Sequence, residues 1–159
     1  LNHSLKNMKD LDFMKIALKE AEKAYKRWEC AVGAVLVHEG KVIAKAWNEE
    51  KKLHDPSAHA EILILRRAWK ILWRHTFPDC TVYTTLRPCP MCQGVLLRAK
   101  VKNIVCGARS FKYIYEHDFD PKHIFKHWPI MEKECREIYI QRCKNKWLNN
   151  ILESWTYGK

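Results

Sequence analysis

The chain has 159 residues, of which 47% are hydrophobic and 30% are charged. This length and composition fit one globular domain with a buried core, and the 5 glycines and 6 prolines are too few for a disordered chain. The formal net charge of +11 favours a polyanionic partner, although a lysine-rich solvated surface would give the same excess.

The 7 cysteines show no repeating spacing, which argues against a disulfide framework and favours a reducing compartment. No apolar run approaches the roughly 18 residues of a membrane span, and the first residues lack the apolar segment of a signal peptide. We therefore expect a cytoplasmic protein with no membrane-embedded part. Because the chain begins with Leu1, the sequence leaves open whether a targeting segment was removed.

An apolar stripe at helical spacing predicts the first helix, with Asp10 as its N-cap. The polar residues 1–9 before it are expected to be flexible. The stripe is expected to lie in the core and consists of Met14, Ala17, Leu18, Ala21 and Tyr25.

A β-hairpin is predicted next, because two apolar segments, 32–37 and 41–47, flank the Glu39-Gly40 turn. The second strand is expected at an edge of the sheet. Residues 48–57 carry charges and a proline and predict a loop that leads into a helix over 59–71. The residues of that helix expected to face the sheet are Ile62, Leu63, Leu65 and Trp69.

The following segments predict a strand over 81–85, a helix over 89–98 and a strand over 103–107. A strand, helix, strand order predicts that the two strands are parallel and joined by a right-handed crossover. The helix starts would then lie along one edge of the sheet. Two more helices are predicted, over 132–143 and 146–155.

Residues 111–131 mix aromatic side chains with lysines and histidines. Such a mixture could stack on bases and contact phosphates, but for any single aromatic we favour packing on the sheet. The histidines lack cysteine partners at zinc-site spacing, so no second metal is expected. Because no internal repeat or linker is present, we expect one domain over 1–159, with a divergent C-terminal part over 111–159.

Two short segments carry the candidate chemistry: His59 and Glu61 in HAE, and Cys89 and Cys92 in PCPMC. One imidazole and two thiolates suit Zn²⁺, and three protein ligands leave the fourth position open for a water, which indicates catalysis. His59 would lie on the first turn of one helix and the two cysteines on the first turn of another. The positive end of that second helix would keep the cysteines as thiolates. Glu61 lies close enough to move protons without being a ligand.

Each part has a simpler interpretation on its own, because a single histidine is more often structural and a lone Cys-x-x-Cys can be a redox pair. The ordered coincidence of histidine, glutamate, proline and two cysteines favours the zinc site.

The sequence around these residues resembles that of the tRNA adenosine deaminases of the TadA family. The matching segments are HDPSAHAEI and LRPCPMC, preceded by ECAVGAVLV and the Asn48 of AWNEE and followed by VKNIVCGAR, over about residues 14–109. Cytosine and guanine deaminases share the zinc motifs, so VGAVLV, HDPSAHAEI and GAR are the segments that favour this family. The resemblance implies a cytidine deaminase-like α/β fold, with three α/β/α layers around a central mixed sheet of about five strands.

The resemblance also implies one Zn²⁺ per subunit and hydrolytic conversion of the wobble adenosine of a tRNA anticodon to inosine. A water activated at the metal and deprotonated by Glu61 would attack C6 of the adenine. The base must leave its stack, which is easiest in a single-stranded loop. Such enzymes are generally homodimers in which both subunits contribute to each site.

Four residues are placed at the substrate by the resemblance. Asn48 would hold the base or its ribose, Val32 and Leu53 would lie near the pocket wall, and the Ala60 backbone N–H would contact the base.

The chain departs from the family at two substrate-facing positions and in one longer segment. Arg87 stands in place of the usual glutamate before Pro-Cys, Ser110 replaces the usual aspartate after GAR, and residues 111–131 replace a glycine-rich stretch. The loss of an acidic side chain and the gain of a basic one would reduce the repulsion between the protein and substrate phosphates. This difference puts the identity of the substrate in question. The candidates for contacts with an RNA backbone are Arg98, Lys100, Arg109 and Lys112.

Two alternative functions remain open from the sequence. One is a deaminase of a free nucleobase or nucleoside such as guanine, cytosine or cytidine, which would show little salt dependence. The other is a non-catalytic zinc-binding subunit that lends RNA binding to a partner. Such subunits typically lose the catalytic glutamate, and Glu61 is present here.

Overall fold

The computed structural model describes residues 2–108, 125–127 and 129–144. In these ranges the chain forms α1 (Asn2–Lys26), β1 (Gly33–His38), β2 (Lys41–Trp47), α2 (Glu50–Leu53), α3 (Ala60–Leu72), β3 (Cys80–Leu86), α4 (Pro90–Arg98), β4 (Asn103–Ala108), β5 (Phe125–His127) and α5 (Glu132–Lys144). The helix predicted over 146–155 lies outside the described residues.

The central element is a mixed sheet with the strand order β2-β1-β3-β4-β5. Strand β1 runs antiparallel to both β2 and β3, whereas β4 runs parallel to β3 and to β5. The predicted hairpin, the edge position of β2 and the parallel β3–β4 pair are confirmed. Four strands have six or seven residues and β5 has three. A three-residue strand shows no periodicity, which is why the sequence did not indicate it.

Helices cover both faces of the sheet and complete the expected three-layer α/β/α arrangement. Helix α1 packs on β1, β2 and β3 and contacts α5, which covers β4. Helices α3 and α4 contact each other, and α3 packs on β1 and β2. Within the described ranges, no helix is both long and apolar enough to cross a bilayer.

Helix α1 begins at Asn2, eight residues before the start predicted at Asp10. Residues 2–9 contain neither proline nor glycine, so nothing in this polar segment stops the helix. Asp10 is therefore not an N-cap: its carboxylate accepts a hydrogen bond of 2.6 Å from the Tyr83 hydroxyl and ties α1 to β3. The predicted core stripe is confirmed at Met14, Ala17 and Ala21, which are fully buried.

The close approach of α1 to β1 depends on Gly33. A Cβ on this residue would lie 2.1 Å from the Ala17 carbonyl oxygen and 2.5 Å from the Ala21 nitrogen. Both are backbone atoms of α1, which no rotamer change can move away. The glycine of the VGAVLV segment is thus a packing requirement between helix and sheet.

Two further predictions were wrong in detail. The segment predicted as a loop over 48–57 contains the one-turn helix α2, whose four residues are too few to show a period. Trp69 does not face the sheet: it is 55% exposed and its ring centroid lies 5.5 Å from that of His75. The other sheet-facing residues are confirmed, since Ile62, Leu63 and Leu65 are each 6% exposed.

Candidate metal and active site

Two helix starts bring the candidate zinc ligands together. His59 and Cys89 are the N-cap residues of α3 and α4, and both have extended backbone conformations. Pro90 occupies the first turn of α4, where its missing N–H leaves no hydrogen bond unmade, and Cys92 follows on the same turn. The helix boundaries predicted from the sequence are therefore correct to within one residue.

The three side chains form a compact donor set. His59 Nδ1 lies 3.6 Å from Cys89 Sγ and 3.4 Å from Cys92 Sγ. The three donor atoms all lie within 4.8 Å of one another, a spacing that could hold one metal ion. One imidazole nitrogen with two cysteine sulfurs is a set that suits zinc and leaves a fourth position available.

The three donor side chains shift one another's pKa values. A hydrogen bond from the Cys92 thiol lowers the pKa of Cys89 to about 4, with a further contribution from His59. The same bond, together with burial, raises the pKa of Cys92. The hydrogen bond with Cys89, reinforced by Glu50, raises the pKa of His59 to about 10. Without metal, Cys89 is thus a thiolate beside an imidazolium at neutral pH.

Glu61 lies directly behind these donors and is almost fully buried, with 3% of its surface exposed. One carboxyl oxygen lies 3.7 Å from Cys92 Sγ, and the other lies 3.5 Å from Thr84 Oγ1. Burial raises the pKa of Glu61, since a charged carboxylate loses its hydration there. A buried carboxyl group with a raised pKa holds a proton more readily than an exposed one, which suits a group that accepts and returns protons in general acid–base catalysis.

A hydrogen-bonded chain connects the start of α3 with α2. The Ala60 N–H donates to Asn48 Oδ1 at 3.0 Å, and Asn48 Nδ2 donates to Glu50 Oε2 at 2.9 Å. The other carboxylate oxygen of Glu50 lies 3.6 Å from His59 Nε2, on the side of the ring away from the cysteines. His59 lowers the pKa of Glu50, so Glu50 is a carboxylate. The sequence gives no indication of this role for Glu50, because nothing in the EEKK segment distinguishes it from a solvated charge.

The predicted substrate residues lie in different surroundings. Asn48 and Val32 are buried, and the Asn48 N–H donates to the Val32 carbonyl at 3.2 Å. Leu53 ends α2 and is 45% exposed. The Ala60 N–H, expected to meet the base, has Asn48 as its acceptor. Arg87 is half-buried just before Pro88 and Cys89, and its N–H donates to the Ala108 carbonyl at 2.8 Å.

The basic residues expected to contact the RNA backbone do not all lie at this site. Arg98 and Lys100 are exposed at the C-terminal end of α4, roughly 13 Å along the helix axis from Cys89. Arg109, Ser110 and Lys112 lie outside the described residues.

Comparisons with known proteins identify the family. Residues 7–108 match the model of the cytidine and deoxycytidylate deaminase zinc-binding region. The tRNA-specific adenosine deaminase of Buchnera aphidicola (subspecies Schizaphis graminum) is 37% identical over 152 residues, which cover 89% of this chain and 99% of that protein. The chain belongs to the tRNA-specific adenosine deaminase family. Its metal is therefore zinc, in agreement with the histidine and cysteine donor set.

Other members of this tRNA deaminase family show the same likeness. The chloroplastic tRNA(adenine(34)) deaminase of Arabidopsis thaliana is 50% identical over 96 residues, which are 60% of this chain but only 7% of that much longer protein. A solved structure from a study of A-to-I editing by tRNA:A34 deaminases aligns with a TM-score of 0.69 at 35% identity, covering 80% of this chain and 98% of that one. The predicted family and the cytidine deaminase-like fold are confirmed.

Proposed function

We propose that this protein deaminates the wobble adenosine of a tRNA anticodon hydrolytically, giving inosine and ammonia. The observation that supports this function most is the buried Glu61 carboxyl, 3.7 Å from Cys92 Sγ and beside the His59, Cys89 and Cys92 donor set. The relatives that match most of the chain are tRNA-specific adenosine deaminases.

In this proposal His59, Cys89 and Cys92 hold one zinc ion. When bound, the ion supplies Lewis acidity that lowers the pKa of a water molecule at the open fourth position. Glu61 would take one proton from a water molecule while the oxygen of that water forms its bond to C6 of the adenine. Glu61 would deliver that proton to the ring nitrogen, then take the second proton from the hydroxyl formed at C6 and pass it to the amino group. The C6–N bond breaks as ammonia leaves, so that adenosine and water give inosine and ammonia.

The residues around Glu61 position the reactants. The Glu50 carboxylate lies 3.6 Å from His59 Nε2 and favours the tautomer with the proton on that nitrogen, which leaves Nδ1 for the metal. Asn48 already bonds the Ala60 N–H and Glu50, so the base contacts proposed for Asn48 and Ala60 require these groups to share or exchange partners. Val32 and Leu53 would border the base, with Arg87 near its phosphates.

The proposal extends to partners. The RNA is bound as a single-stranded loop, because a flipped base is most accessible there. Backbone contacts are assigned to Arg98, Lys100, Arg109 and Lys112, with Ser110 near the substrate strand. The protein acts as a homodimer in the cytoplasm.

The test is a single-turnover assay of the zinc-loaded protein on an anticodon stem-loop with a wobble adenosine, beside free adenosine, guanine and cytosine. We expect inosine in the stem-loop alone. Glu61→Gln should lower the rate at least about 10²-fold while zinc content is retained, because only proton transfer is lost. Glu22→Gln, an exposed change on α1, is the matched control.

Each alternative function predicts a different outcome. Ammonia from a free base with an untouched stem-loop would establish a small-molecule deaminase. An unchanged rate in Glu61→Gln would remove the catalytic assignment of Glu61. Deamination by neither route would favour a non-catalytic RNA-binding subunit.

A further inference from the structure

A second concave site lies outside the zinc centre. It is a cavity of about 400 Å³ lined by Arg27, Glu29, Trp47, Lys51 and Lys52. These residues come from the end of α1, the end of β2 and the start of α2. We name it the Trp47 cavity.

Positive groups crowd around the indole ring of Trp47. The charged groups of Lys23, Arg27, Lys52 and Arg67 lie between 5.3 and 5.9 Å from its ring centroid. Each cation is attracted to the electron-rich face of the ring, but like charges so close together repel one another. An anion between them would relieve that repulsion.

The nearby acids neutralise only part of this charge. Glu20 pairs with Lys23 at 2.7 Å, and Glu49 pairs with Lys52 at 2.8 Å and with Arg67 at 3.5 Å, which leaves Arg27 as the cation of this group without an ion pair in the described part of the chain. Glu29 is 2% exposed, and its two oxygens accept from the backbone N–H groups of Lys51 and Lys52 at 3.1 and 2.9 Å. The Glu29 carboxylate is therefore turned toward the α2 backbone.

Two donors at the cavity are left available for an anion. Arg27 is exposed and forms no ion pair within the described part of the chain. The Trp47 Nε1–H is buried and has no acceptor among the residues that the structure describes. A phosphate oxygen is an acceptor for both kinds of group, and arginine pairs with phosphate in a bidentate manner.

The cavity adjoins the zinc centre through one short segment. Trp47 directly precedes Asn48, and Lys51 directly follows Glu50, the residue that contacts His59. The segment 47–52 thus contributes residues both to the cavity and to the contacts that lead to His59. A strand whose base entered the zinc centre would place its neighbouring phosphates near this segment.

We propose that the Trp47 cavity binds a backbone phosphate next to the deaminated nucleotide, with Arg27 and Lys51 as its cationic contacts and the Trp47 Nε1–H as a further donor. The Lys51 ammonium also donates to the Trp28 carbonyl at 2.6 Å, which holds it at the cavity. Because an ammonium carries several N–H donors, this bond still allows one to a phosphate. This inference rests on the proposed function for the presence of RNA at the zinc centre. It gives α2 two roles, since Glu50 serves the metal side and Lys51 serves the substrate strand. It also accounts for part of the net charge of +11.

The experiment uses the zinc-loaded full chain and three variants: Arg27→Gln, Lys51→Gln and the double change. Lys41→Gln is the matched control, because Lys41 is exposed at the opposite end of β2, roughly 20 Å from Trp47. Fluorescence anisotropy measures stem-loop binding over a salt series. Each single variant should bind about threefold or more weakly at 50 mM salt, with a salt slope reduced by about 0.7 to 0.9. Because both cations contact the same phosphate, the double variant should lose no more than about 0.9 of the slope, and Lys41→Gln none.

A second arm locates the phosphate. Stem-loops carrying one neutral methylphosphonate at each linkage around the wobble adenosine are bound to the wild type and to the double variant. A methylphosphonate at one linkage should weaken RNA binding by the wild type about threefold. The same modification should leave binding by the double variant unchanged, because that variant has already lost the contact.

Three results would overturn the inference. The first is a double variant that keeps the wild-type salt slope. The second is a set of methylphosphonates that weaken RNA binding equally in both proteins. The third is inorganic phosphate that binds in the cavity without weakening RNA binding. Failure of the proposed function is read separately, as no inosine from the wild-type protein on the same stem-loop.

Discussion

Glu50 is the residue whose role only its contacts show. Its carboxylate lies 3.6 Å from His59 Nε2 and accepts a hydrogen bond from Asn48. A carboxylate behind a metal-binding histidine fixes the ring orientation and the proton on the outer nitrogen. Removing it should therefore loosen the metal.

We expect Glu50→Ala to weaken zinc binding about 10- to 100-fold. Glu50→Gln keeps an acceptor without the charge and should fall between that variant and the wild type. Competition with a chromophoric chelator measures the affinity, and Glu22→Ala on the exposed face of α1 is the control. Wild-type affinity in both Glu50 variants would contradict this role.

Zinc affinity should also depend strongly on pH. His59, with a pKa raised to about 10 by Cys89, and Cys92, whose pKa is raised, are both protonated at neutral pH without metal. Each must lose one proton to bind, so the apparent log affinity should rise by about two per pH unit between pH 6 and 8. Below the Cys89 pKa of about 4, a third proton must leave and affinity should fall more steeply.

Calorimetry in buffers of different ionisation enthalpy counts these protons directly. Zinc binding with no proton release near pH 7 would show that His59 and Cys92 are already deprotonated in the metal-free protein.

At the scale of elements, the fold depends on the contact between α1 and β1. Gly33→Ala should lower the free energy of unfolding by about 3 kcal/mol, because its Cβ would overlap backbone atoms of α1. Gly94 is the matched control: it lies within α4 with nothing near its Cβ position, so Gly94→Ala should stabilise by about 0.5 to 1 kcal/mol. Urea denaturation measures both.

Equal stability of the two variants would mean that α1 can move away from the sheet at little cost.

Local signals decide which helix boundaries could be predicted from the sequence. Helices α3 and α4 start at His59 and Cys89, where local capping and a proline decide the boundary. Helix α1 has no such local signal at Asp10, and its start was missed.

At the scale of the whole molecule, the proposed homodimer should bury apolar surface next to the zinc centre. Met91 and Val95 flank Cys92 on α4 and are 40% and 37% exposed. If both subunits contribute to each site, the interface borders this stripe, and Val95→Glu should give a monomer in sedimentation velocity. Trp73→Glu, at an 88% exposed position past the end of α3, should leave the dimer intact. The reverse pattern would place the interface at the end of α3.

The sequence by itself identified the family and predicted the metal donors and the proton-transfer residue. Zinc chemistry requires particular residue types in a fixed order, and the ligands sit on first turns whose signals are local. Residue type and order alone therefore suffice to name His59, Glu61, Cys89 and Cys92.

Only the tertiary structure decided what surrounds them. Glu50 meets His59, and Arg27 meets Trp47 and Lys51, because the ends of α1 and β2 converge on α2. Such contacts between distant segments leave no periodic signal, since a lysine or glutamate in a charged segment looks the same whether it is solvated or turned toward a site. The physical difference lies in burial and in the partner, and both are set by packing.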